Sequence, residues 1–135
     1  MINVVSLDWK SKRKIDDIID QIAFSRVKSF YPTYIHKITG NPLNEVFNYL
    51  LYFVRDGRLK LIWEIRCDNP VCNEVIIRTD DNIQNYLNKI IECHECESDV
   101  LVRESLIFPT FEINGDYRDE IREDKKKERN LLITK

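Results

Sequence analysis

The chain has 135 residues, 43% of them hydrophobic and 33% charged, and its 21 Lys/Arg against 23 Asp/Glu leave a formal net charge of −2. That length suits one domain or two very small ones and buries only a modest core. No apolar run nears the roughly 18 residues of a membrane-spanning helix, and three glycines scattered at 40, 57 and 115 exclude a phosphate loop.

Residues 2–7 are short and partly apolar, an ordered arm or an edge strand. The opening from Met1 to Trp9 lacks the basic-then-apolar layout of an export signal, so a cytoplasmic or nucleoid-associated protein is expected. Ile15, Ile18, Ile19 and Ile22 recur at the spacing of one helical face, which predicts a helix ending near Val27 or Lys28. Its start, Ser11-Lys12-Arg13-Lys14, is basic and slightly opposes the helix dipole. Pro32 suits the first turn of a second helix, 33–39, with Ile35 and Ile38 inward. Gly40 ends it in the position that favours a left-handed residue. Asn41 is expected to cap a third helix that Pro42 opens. Thr39-Gly40-Asn41-Pro42 is therefore a tight turn between two helices, a helix-turn-helix signature.

The third helix is expected over 43–55. Steps of about 100° place Leu43, Phe47, Leu50, Leu51 and Val54 on its inner side. Asn44, Glu45, Asn48, Tyr49, Tyr52 and Arg55 fall on the outer side. Asp56-Gly57 ends it, and residues 58–66 alternate like a strand. That strand runs without a linker into Cys67.

All four cysteines of the chain, Cys67, Cys72, Cys93 and Cys96, form two close pairs. Two such pairs, a hairpin's length apart, are the pattern of a zinc ribbon, in which four thiolates surround one ion at about 2.3 Å. The alternative is two disulfides, which a reducing compartment disfavours. His94, inside the second pair, is expected to be a bystander, since four thiolates complete the site. Such a site is structural, with no open position for catalysis. Between the pairs, 74–79 reads as a strand, and Ile83, Leu87 and Ile90 or Ile91 as a short helix or a strand. Two further strands are expected at 99–104 and 106–113, with Pro109 marking an edge or a bulge. From Asp116 to Arg129 nearly every residue is charged, a solvated helix or a disordered tail.

Charge divides the chain. Residues 10–66 hold eleven Lys/Arg against six Asp/Glu, a net +5, and 67–113 hold three against ten, a net −7. The expected fold is α+β: a winged helix-turn-helix over 1–66, a zinc ribbon over 67–113 and a charged tail over 114–135. This order, marked by Thr39-Gly40, Gly57-Arg58-Leu59 and the four cysteines, resembles winged-helix–zinc-ribbon proteins such as the alpha subunit of general transcription factor E. The four-residue spacer between Cys67 and Cys72 departs from the two-residue spacers of that pattern. The resemblance implies a non-enzymatic accessory subunit that binds nucleic acid, protein or both. For double-stranded DNA the contacts would be Asn44 and Asn48 on base edges and Lys37, Arg55, Arg58 and Lys60 on phosphates. The alternative is a protein adaptor whose winged helix has lost DNA binding, or a homo-oligomer. Its interface would use Tyr49, Tyr52 and the apolar end at Leu131 and Leu132.

Overall fold

The computed structural model describes residues 7–133, the last four by backbone alone. It is a mixed α+β chain of antiparallel sheets and helices. In chain order it comprises α1 (Trp9–Phe24), β1 (Ser29–Phe30), α2 (Pro32–Thr39), α3 (Leu43–Arg55), β2 (Leu59–Arg66) and β3 (Val75–Thr79). Then follow a 3-10 turn (Ile83–Asn85), β4 (Ile90–Glu92), β5 (Asp99–Leu101), a second 3-10 turn (Glu104–Leu106), β6 (Ile107–Ile113) and α4 (Gly115–Ile133). One sheet has the order β1-β6-β2-β3, and β4-β5 form a separate pair. The expected arm falls, Leu7 excepted, outside the described residues.

Two compact units result. One takes the chain up to Lys60 and again from Phe111, and the other is Leu61–Thr110. Composition had suggested breaks after Arg66 and Ile113. Instead the boundaries of the second unit fall inside β2 and β6, and the charged tail belongs to the first unit as α4.

In the first unit, α1 begins where the Asp8 carboxylate accepts the Ser11 N–H at 2.8 Å, satisfying one of the orphan donors of the first turn. Ile15, Ile19, Ile22 and Ala23 line its buried face. Tyr49 donates to Asp16 at 2.7 Å, and Tyr117 of α4 donates to Asp20. Burial, and then the hydrogen bond to its aspartate, raise each phenol above its ordinary pKa. No basic residue of α1 itself lies in its last turn. Two arginines of α4 serve that end instead: Arg118 Nε donates to the Ala23 carbonyl at 3.0 Å and Arg122 Nη2 to Ser25 at 3.0 Å. Carbonyls left over at a helix C-terminus are thereby satisfied by cations, as the dipole favours.

The inter-helix turn differs from expectation in one respect. Gly40 closes α2 at φ 73°, as the sequence implies, but Asn41 does not cap α3. Pro42 holds that place, with no side-chain bond. Thr39 instead ties the turn, donating to the Ile35 carbonyl at 2.8 Å and accepting the Asn41 N–H at 3.2 Å. His36 Nδ1 donates to the Asn41 carbonyl at 2.6 Å. Ile35 is fully buried, whereas Ile38 is exposed. A helix of two turns presents only a narrow face, and Ile38 lies at its margin.

The buried face of α3 is Val46, Leu50 and Phe53, rotated from the expected one. Leu43 points outward. The cause lies in the sequence: at about 100° per residue the apolar residues of α3 span about 160° of its circumference, so periodicity alone does not select which edge of that arc turns inward. Phe111 of β6 is fully buried and stacks on Phe30 at 5.9 Å, with Phe47 tilted against it at 5.8 Å. Only Phe111 and Glu112 of β6 pair with the two-residue strand β1. Pro109 therefore sits where β6 has no partner on that side, the edge placement proline requires.

Candidate metal centre

The second unit carries two hairpins. Strands β2 and β3 pair antiparallel, Trp63 opposite Thr79 and Ile65 opposite Ile77, and their connection holds Cys67 and Cys72. Strands β4 and β5 pair Ile90 with Leu101 and Glu92 with Asp99, and their connection holds Cys93 and Cys96. Before Cys93, where a short helix or a strand is expected, the chain forms a 3-10 turn followed by the strand β4.

Both connections close the same way despite spacers of different length. The N–H of the first cysteine donates to a carbonyl two residues past the second: Cys67 to Glu74 and Cys93 to Ser98, each at 2.9 Å. The residue between adopts a left-handed backbone, Asn73 at φ 47° and Glu97 at φ 63°. This conformation is ordinary for asparagine and costly for glutamate. The longer first spacer is taken up by Asn69, whose side chain accepts the Val71 N–H at 3.0 Å across Pro70. Its carbonyl also accepts from Cys72 and Asn73.

These loops bring four sulfurs within 4.8 Å of one another. Cys67 and Cys96 Sγ stand 3.6 Å apart, and Cys72 and Cys93 Sγ 3.7 Å. Four sulfurs at about 2.3 Å from a tetrahedral ion would be separated by about 3.8 Å, whereas a disulfide needs about 2.05 Å. All four thiols are free. The arrangement fits a metal ion bound by four thiolates. Cys67 and Cys93 are buried, with Val100 in the same cluster and Ile76 and Leu106 packed on it. The sulfurs are thus part of the small core of this unit.

The hydrogen bonds around the sulfurs suit negative charge. The backbone N–H of Asn69 faces Cys67 and that of Glu74 faces Cys72, and Ser98 presents both its hydroxyl and its N–H to Cys96. Ser98 Oγ lies 3.3 Å from Cys96 Sγ. Led by the Ser98 hydroxyl, these donors lower the Cys96 thiol to about 6. At Cys72 the Glu74 N–H favours the thiolate, but burial and the three neighbouring thiols outweigh it and push the group up to about 12. Four thiolates at this spacing therefore require a cation among them. Ser98 has no counterpart in the expectations; a serine two residues past the second cysteine was its only signal. Ser98→Ala is expected to weaken metal binding about ten-fold, the usual order for a group that orients a ligand. Competition with a chromogenic chelator measures it.

His94 is exposed, its Nε2 3.7 Å from Glu95 Oε1, and does not join the cluster. The residues proposed for DNA fall on separate elements of the first unit: Lys37 on α2, Asn44, Asn48 and Arg55 on α3, Arg58 at the following turn and Lys60 on β2. Asn44, Arg55, Lys37 and Lys60 are exposed, and Asn48 is half-buried. Arg58 is ion-paired to Asp56 at 2.7 Å, and its guanidinium lies 3.9 Å from the centre of the Phe53 ring. Arg55 stacks on Tyr52 at 5.3 Å. Tyr52 is exposed as expected, but Tyr49 is half-buried with its hydroxyl on Asp16, so it offers little to a partner. Leu131 and Leu132 lie outside the residues whose side chains are described. Among the described residues no helix is long and apolar enough to cross a membrane. No family model matches the chain, and no curated protein or solved structure matches it.

Proposed function

We propose that this is a non-enzymatic, zinc-stabilised winged-helix protein that contacts double-stranded DNA, acting as an accessory subunit of a larger assembly. The observation that carries the zinc reading is the set of four sulfurs at tetrahedral spacing with no histidine or carboxylate among them. Four thiolates favour zinc among abundant divalent ions and close the coordination shell, which speaks for a structural ion and against a catalytic one. The winged-helix reading is supported by connectivity. Three helices lead into β2, the chain returns through β6, and β6 lies between β1 and β2. In chain order, the segment between β2 and β6 falls where a wing would. Helix α3 would enter the major groove, with Asn44 and Arg55 outward.

A second reading has its own support. Tyr34 and Ile38 of α2 and Leu43 and Tyr52 of α3 are all at least 40% exposed, and exposed aromatics of this kind suit a protein interface. Duplex titrations separate the two. The variant Lys37→Glu/Arg55→Glu is expected to weaken duplex binding at every sequence and to lower the salt slope by roughly 2, and Asn44→Ala to change sequence preference. Duplex affinity untouched by both substitutions would reject the DNA reading in favour of the adaptor.

A further inference from the structure

At the end of α1 the first unit forms a groove of about 370 Å³ lined by Phe24, Arg26, Arg122, Lys125, Lys126 and Arg129. Five of the six are cationic and none is acidic. On α4, Arg118, Arg122, Lys125, Lys126 and Arg129 recur at i, i+4, i+7, i+8 and i+11, a single stripe of the helix. Of the six carboxylates of α4, Asp116, Glu120 and Asp124 line a different groove, with Asp20 and Asp56, and Asp119, Glu123 and Glu128 line neither. Arg122 is held by the Phe24 and Ser25 carbonyls, which also offsets the negative end of the α1 dipole. Among the described residues no carboxylate ion-pairs with Arg26, Lys125, Lys126 or Arg129. The lone apolar lining residue, Phe24, is 43% exposed.

We propose that this groove binds the phosphate backbone of single-stranded nucleic acid, with an unpaired base stacked on Phe24. Cations from Arg122 to Arg129 extend over two turns of helix, roughly 10 Å, which is longer than one phosphate and fits a polyanion. A basic groove with an aromatic ring at its wall is the combination that holds single strands without reading sequence, because every base has a face to stack. A duplex keeps its base faces covered and leaves Phe24 unused. This surface is independent of α3, so its fate and that of the duplex reading are separable.

Fluorescence anisotropy on the metal-loaded chain tests it, using an oligothymidine of about 12 nucleotides and a duplex of equal length between roughly 50 and 200 mM salt. Arg26→Glu/Lys126→Glu/Arg129→Glu is expected to weaken oligothymidine binding more than ten-fold and to lower the salt slope by about 2. Phe24→Ala should weaken it about ten-fold and leave the slope unchanged. Lys37→Glu/Arg55→Glu should leave it intact. All four groove residues are exposed, and circular dichroism verifies folding. The neutral variant Lys126→Gln/Arg129→Gln should reproduce the loss in part. Failure of the unmodified chain to bind oligothymidine would overturn the proposal. So would equal binding by the triple variant, or binding to phosphatidylglycerol vesicles in place of the oligonucleotide.

Discussion

Serine in place of Cys93 is expected to abolish stoichiometric metal binding and to unfold the hairpins of the second unit. Cys93 is fully buried, and the cluster around it is little more than the sulfurs, Val100, Ile76 and Leu106. So few apolar side chains cannot offset the entropy of ordering two hairpins. A structural ion bound by four thiolates contributes on the order of 10 kcal/mol to such a site. Amide exchange should show protection lost across 61–110. Helices α1 to α3 should keep theirs, because Ile15, Ile19, Ile35, Val46, Leu50 and Phe53 supply a core that holds no sulfur. Unchanged protection around residues 90–101 in the variant would mean that the ion is not what holds these strands.

Phe111→Ala is expected to be the most damaging single substitution outside the metal site. The ring is fully buried between Phe30 and Phe47, and its strand position pairs with Phe30. Truncation removes the ring's burial and leaves a cavity, at a cost of about 3–5 kcal/mol. That is a large share of the roughly 5–15 kcal/mol by which domains are stable. Urea unfolding followed by circular dichroism reads the shift in midpoint. Phe108→Ala, three residues earlier and 40% exposed, should cost less than about 1 kcal/mol. Comparable losses in the two variants would show that β6 is not buried as described.

The metal centre was legible because cysteine spacing is a covalent fact: two pairs a hairpin apart leave few ways to arrange four thiols. The α1 face was legible for a similar reason, since its isoleucines stand among charged residues. Helix α3 was not, because Val46, Phe47, Leu50, Leu51, Phe53 and Val54 spread over an arc of about 160°, and only tertiary packing chooses which edge of it goes inward. For α4 a solvated helix or a disordered tail was legible, and the helix forms, but its packing on α1 was hidden by its composition. Its contacts to α1 are made by Tyr117, Arg118 and Arg122, polar groups that local patterning assigns to solvent. The boundaries of the second unit, inside β2 and β6, were equally out of reach, since strand pairing over some forty residues leaves no local trace.

Native mass spectrometry of the purified chain, read beside elemental analysis, addresses the metal centre most directly. One zinc ion per chain is expected, released as acid protonates the thiolates and absent from Cys93→Ser. A chain that carries no metal, or whose four cysteines are joined as two disulfides, would contradict the account.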